Sequence, residues 1–135
     1  MIHFEEPLIS WLILTARLCL AAVYLVSGLH KAICYQEAVT EFHNARVPAT
    51  GLLLPLTIIL HLLASVALAS GVYASEAALL LAAFTAVATV RVHRFWQMKG
   101  PQRLAQSRVA LAHLAIIGGL ILLAAVGPGR LVVPL

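Results

Sequence analysis

Arg17, Tyr24, Ser27, His30, Lys31, His61, His93, Trp96 and His113 stand within or beside runs that are otherwise apolar. Imidazoles exchange protons near neutral pH and ligate metals. Arginine and lysine hold anions or carbonyl oxygens, and tyrosine and tryptophan offer an aromatic face with a polar tip. No carboxylate belongs to this set, so it suits holding a carbonyl-bearing or anionic ligand better than acid–base hydrolysis. Ser27 and His30 lie one helical turn apart without an orienting carboxylate or an oxyanion hole. No nucleophile, base and orienter can be assembled, and the chain is read as not catalytic on its own.

The spacing of these residues gives them a common direction. Arg17, Ala21, Tyr24, Gly28 and Lys31 recur at intervals of 4, 3, 4 and 3, which is one face of a helix. Thr57, His61 and Ser65 form a second stripe, and Thr85, Thr89, His93 and Trp96 a third, while His113 opens the last apolar run. Polar stripes on separate membrane helices are expected to face one another and leave the rest to lipid. A pocket lined by the nine residues named first is therefore expected, opening at one end of a bundle. Thr57, Ser65, Thr85 and Thr89 are expected to return their hydroxyls to their own backbone. Gly28, Gly118 and Gly119 read as close-packing positions. Arg17 sits mid-span, either as a ligand anchor or reaching outward toward Glu76 or lipid headgroups.

His61 and His113 could clamp a haem iron, but helical rise places them at different depths. His30, His93 and His113 fall near one end, yet no cysteine or carboxylate pattern accompanies them, and no metal site is assigned. Cys19 and Cys34 are too far apart on or near one helix, roughly 20 Å, to form a disulfide.

The elements that position these residues follow from composition. Of 135 residues 62% are hydrophobic and 10% charged, with a mean hydropathy of +0.99. A soluble domain carries about a quarter charged residues, so lipid is the expected solvent. The apolar runs are too long for barrel strands, which leaves helices that satisfy their own hydrogen bonds. Spans are expected at about Pro7–His30, Thr50–Val72, Ser75–Val92 and Arg108–Val126, each near the roughly 20 residues that cross the hydrocarbon. Gly71-Val72-Tyr73-Ala74 makes a tight hairpin, with Pro55 near the start of the second span, where a missing N–H costs least. Tyr35–Val47 is amphipathic and predicts a short interfacial helix ended by Pro48. The connection Arg94–Ser107, with its Gly100-Pro101 turn signal, is expected in water, and Gly127-Pro128-Gly129 stops the last helix. The fold class is all-α: a four-transmembrane-helix bundle with a short interfacial helix between its first two spans, one domain over residues 1–135.

Lys31, Arg46, Arg91, Arg94, Lys99, Arg103 and Arg108 gather on one side, with Arg130 alone on the other. Such asymmetry places the basic loops in the cytoplasm and both termini in the periplasm or outside. The net charge of +4 therefore reports topology, and nucleic acid is not an expected partner. Glu5 and Glu6 precede the first run where a secretory leader would carry basic residues, so no cleavable signal is read.

The motif Arg17 followed by Tyr24-Leu-Val-Ser-Gly-Leu-His-Lys31 resembles a first-helix signature of the DoxX family. His93-Arg-Phe-Trp96 is similar to that family's motif after the third helix. Ala115 through Gly127-Pro-Gly-Arg130 is similar to its closing helix, so the resemblance spans about Leu8 to Val133. It implies a bacterial inner-membrane protein of four helices, in a family named for a subunit linked to thiosulfate:quinone oxidoreductase and quinol oxidase. The implied role is an accessory subunit of a quinone- or thiol-linked redox system, beside other membrane subunits or copies of itself, with quinone the foremost cofactor and haem a distant one. A non-catalytic assembly subunit and a small transporter are the alternatives. Many relatives carry a glutamate where His61 stands and Lys-Asn where this chain has Ala112-His113, so two ionisable positions differ.

Overall fold

The computed structural model describes residues 4–135; residues 1–3, included in the single-domain expectation, lie outside the described residues. Among the described residues the regular structure is helical: α1 Glu6–Ile33, α2 Tyr35–Asn44, α3 Thr50–Ser70, α4 Ala74–Val92 and α5 Gly100–Val126, with a short 3-10 turn at Phe95–Gln97. α1, α3, α5 and the stretch beginning with α4 are long and apolar enough to cross a membrane. Residues such as Leu12, Val26, Leu63, Val87, Leu111 and Leu122 point outward and are exposed. An apolar surface that continuous belongs in a bilayer. The expected four-helix membrane bundle is the architecture found.

Small residues set how closely the helices approach, as is usual where lipid supplies no hydrophobic drive between them. On α4 the buried positions are Ala74, Ala77, Ala78, Leu81, Ala82 and Thr85, a continuous stripe at helical spacing. They meet Ala64 and Leu68 of α3 and Leu120 and Leu123 of α5 in one core. α1 packs most extensively on α3. There Gly28 is essential to the spacing, because a Cβ on it would lie 3.0 Å from the His61 Cβ and 3.1 Å from Leu62 Cδ2. Gly28→Val should destabilise the fold by about 1–3 kcal/mol through overpacking, read as a lower unfolding midpoint in detergent. An unchanged midpoint would show that α1 and α3 can part freely. A Cβ on Gly119 would meet Leu20 at ordinary contact distance, whereas one on Gly118 would meet nothing within 4 Å, which corrects its reading as a packing position.

Several details differ from expectation. α5 starts at Gly100 instead of Arg108, so most of the connection thought to be loop is helix. Pro101 occupies the first turn, where its fixed φ suits a helix and its missing N–H costs nothing, and Gly100 turns the chain with φ +63°. At 27 residues α5 is about 40 Å long and outruns the hydrocarbon. Pro55 lies in the second turn of α3, deeper than the free first turn, so the Gly51 carbonyl loses its helical donor at an exposed position. α2 ends at Asn44, after which Arg46 and Ala49, both with positive φ, reverse the chain into α3. Phe42 and Ala38 of α2 pack on Leu54 of α3, so the short helix folds back beneath the bundle.

The start of α1 and the C-terminal tail lie at one end of the bundle. Arg130 and Glu6 meet there at 3.4 Å, an exposed ion pair worth about 0–1 kcal/mol. The opposite end gathers the basic residues of the α1–α2 and α4–α5 connections.

Candidate functional site

Arg17 is fully buried, with an exposure of 0%, and it faces the terminal end of the bundle. Its Nε donates to the Leu68 carbonyl at 2.8 Å and its Nη2 to the Ala69 carbonyl at 2.7 Å. Nη1 donates to the carbonyls of Pro128 at 2.8 Å and Leu131 at 2.6 Å. Leu68 and Ala69 belong to the last turn of α3, whose carbonyls have no helical partner and carry the negative end of the dipole. Arg17 therefore caps α3 and ties the C-terminal tail to it, a tie reinforced where Val133 N–H donates to the Ser70 carbonyl. This corrects both expectations for Arg17. It reaches neither the pocket nor Glu76, because orphan backbone carbonyls already answer its charge. Gly71 completes the arrangement: its φ is +86°, and a Cβ there would stand 2.8 Å from Nη2.

A separate cavity of about 310 Å³ occupies the basic half of the bundle, and every helix contributes to it. Its deep end is His61 with Thr57 of α3, Tyr24 of α1, and Phe84 and Thr85 of α4. Its mouth is formed by Ser27 and Lys31 of α1, Glu41 and Phe42 of α2, Arg91, His93 and His113. Chambers of this size, apolar with a few convergent polar groups, are typical of small-molecule sites.

His61 is 4% exposed, and among the described residues neither of its ring nitrogens has a hydrogen-bond partner. The edges of Tyr24 and Phe84 hold the ring, with centroids at 5.3 and 5.0 Å and planes at 77° and 88°. The neighbouring hydroxyls are bonded elsewhere. Tyr24 Oη and Thr85 Oγ1 share a bond of 2.6 Å, Thr57 donates to the Leu53 carbonyl at 2.8 Å, and Ser65 donates to the His61 carbonyl at 2.5 Å. Thr89 donates to the Thr85 carbonyl at 2.7 Å, so Thr57, Ser65 and Thr89 return to their own helices as expected, whereas Thr85 bridges α4 to α1. An orphaned donor and acceptor, buried against a cavity, costs about 1–3 kcal/mol.

The mouth is better satisfied. Lys31 Nζ donates to Ser27 Oγ at 2.6 Å. His113 Nδ1 pairs with Thr89 Oγ1 at 2.7 Å, and His93 Nδ1 with Gln106 Oε1 at 2.6 Å. The two imidazoles meet edge to face with centroids 5.0 Å apart. With Nδ1 committed on each, Nε2 is the nitrogen left to a ligand.

Of the nine residues expected to share a pocket, Tyr24, Ser27, Lys31, His61, His93 and His113 line this cavity. Arg17 does not, for the reason given. His30 points away from the cavity lining, exposed beside Cys34 and Glu37, which separates it from His93 and His113. Trp96, half exposed on the 3-10 turn, stacks edge-on with Phe95 and is not in the lining either. Sequence reasoning missed Glu41, Arg91 and Phe84. The Thr85–Thr89–His93 stripe did not imply Phe84, which lies about 100° round the helix from Thr85. Nothing in the spacing implied Glu41, which arrives only because α2 folds back.

No curated protein and no solved structure matches the chain. A family model described as DoxX matches residues 12–94, from within α1 to Arg94 just past α4, leaving the 3-10 turn and α5 outside the match. That match covers more than half of the sequence and takes in Arg17 with the end of α3 that it caps, His61 and the α4 wall of the cavity, and on this ground the chain belongs to the DoxX family.

Proposed function

We propose that this membrane protein is an accessory subunit of a redox system and holds a quinone-class ligand in the basic-end cavity. The unpartnered His61 ring carries the reading. A neutral imidazole offers one N–H donor and one nitrogen acceptor. A quinone carbonyl can accept from the first, and the hydroxyl of the reduced form can donate to the second, so one buried residue serves both states of such a ligand. Tyr24 and Phe84 bound a slot that suits a flat ring, while Lys31 offers donors to a second carbonyl nearer the mouth; His93 and His113, whose Nδ1–H groups donate to Gln106 Oε1 and Thr89 Oγ1, offer Nε2 as acceptors to a hydroxyl of the reduced form. A quinone supplies two-electron redox chemistry when bound; these side chains orient it and exclude water. Membership of the DoxX family supports a redox setting. The cluster of seven Lys and Arg residues supports a cytoplasmic mouth, with both termini outside a bacterial inner membrane. Electrons would come from or pass to other membrane subunits, since the chain offers no redox centre of its own in this reading.

Photolabelling with an azido-quinone tests the proposal. The expected result is a label on peptides of α1, α3 or α4 that excess unlabelled quinone competes away. A label that resists competition would end the quinone reading. The alternative, a purely structural subunit, draws on the Arg17 clamp, which spends the strongest intramembrane charge on architecture. Co-purification in mild detergent with an unlabelled cavity would favour it.

A further inference from the structure

A second cluster of chemically capable side chains stands outside the cavity, at the junction of α1 and α2. His30 closes α1, Cys34 is the residue between the helices, and Glu37 lies in the first turn of α2. One ligand atom from each, an imidazole nitrogen, the thiol sulfur and a carboxylate oxygen, all lie within 4.8 Å of one another. We propose that His30, Cys34 and Glu37 form a binding site for a divalent cation of the zinc class.

A tetrahedral cation with bonds of about 2.3 Å to sulfur and 2.0–2.2 Å to nitrogen or oxygen sets its ligands roughly 3.3–3.8 Å apart. At no more than 4.8 Å apart, the three donors need to close by at most about 1.5 Å to reach that geometry. Their register explains why they converge. The intervals of four and three put them on one helical face, and the break at Cys34 (φ −97°, ψ 51°) does not lose it. Cys34 N–H still donates to the His30 carbonyl at 2.8 Å and Ala38 N–H to the Cys34 carbonyl at 3.1 Å. His30 and Glu37 are exposed and Cys34 half-buried, so a hydrated ion has access, and the fourth coordination position stays open to water. Thiolate and carboxylate together balance a charge of two, which favours a divalent ion. As the sulfur–metal bond forms, the thiol proton passes to solvent, so affinity rises with pH. The bound ion joins α1 to α2 and fixes the angle at which α2 carries Glu41 and Phe42 to the cavity mouth.

Cobalt(II) is the probe, added to the purified full chain in detergent. The expected result is one Co2+ per chain with a thiolate-to-cobalt charge-transfer band in the near ultraviolet, displaced by Zn2+. Cys34→Ser removes the band, His30→Ala and Glu37→Gln each weaken binding by about tenfold or more, and Cys19→Ser changes nothing. The donors sit at the surface, and the unfolding midpoint without metal serves as the check that each variant is folded. Absence of the band in the folded wild-type chain overturns the site. So does its survival in Cys34→Ser, its dependence on Cys19, or unaltered affinity in both His30→Ala and Glu37→Gln.

Discussion

Replacing Arg17 with leucine is expected to destabilise the bundle by about 3–5 kcal/mol, the range for breaking a buried charged network. Four carbonyls, of Leu68, Ala69, Pro128 and Leu131, lose a charged donor at once. Each such bond is worth about 1.5–3 kcal/mol, but bonds to one guanidinium are not additive. Part of the loss is local: the C-terminal tail is held to α3 chiefly through Arg17, so it should come away before the helices part. Arg17→Lys is the sharper variant. An ammonium keeps the charge but concentrates its donors at one point, and cannot serve the α3 terminus and the tail together. It should recover less than half of the lost stability. Thermal unfolding in detergent gives the magnitude, and a reactive cysteine placed at Val133 reports release of the tail. A lysine variant as stable as the parent, with the tail still protected, would mean that charge alone matters and the fork geometry does not.

How much of this was legible beforehand depends on whether the cause was local. Four apolar runs and one face of polar residues on each are local facts, and they gave the bundle and its polar interior. The direction of Arg17 was not local. It depends on where α3 ends and on a tail more than a hundred residues further along, and orphan carbonyls leave no mark in the side-chain pattern. Gly71 held the available clue: a glycine at the helix end signals a left-handed cap, though not that a guanidinium lies against it. The early start of α5 was readable from Gly100-Pro101, because the same dipeptide that marks a turn also marks a first helical turn. Charge on Arg103 and Arg108 argued for water, and a helix that projects beyond the hydrocarbon satisfies both. His30 was assigned by depth alone. Depth told correctly which end it occupies, but the helical face, shared with Cys34 and Glu37, decides which partners it meets.

His61→Leu should move stability and binding in opposite directions. In ligand-free protein the histidine leaves two nitrogens unanswered in the core, at about 1–3 kcal/mol. Leucine removes that penalty and keeps most of the volume, but forgoes the edge contacts with Tyr24 and Phe84, worth about 0.5–1.5 kcal/mol. The unfolding midpoint should therefore hold or rise by the equivalent of about 1 kcal/mol. Quinone affinity should fall about 10–100-fold, the loss of one hydrogen bond in a buried site. Added quinone at about a hundred times its dissociation constant stabilises the parent by about 2.7 kcal/mol, and the leucine variant gains far less. The ranking of the two proteins thus inverts on adding ligand. His61→Gln, which keeps a donor and an acceptor, should restore part of the binding and part of the penalty. A leucine variant that unfolds more readily without ligand would show that His61 serves packing. An unchanged quinone response would show that its nitrogens face a ligand of another kind.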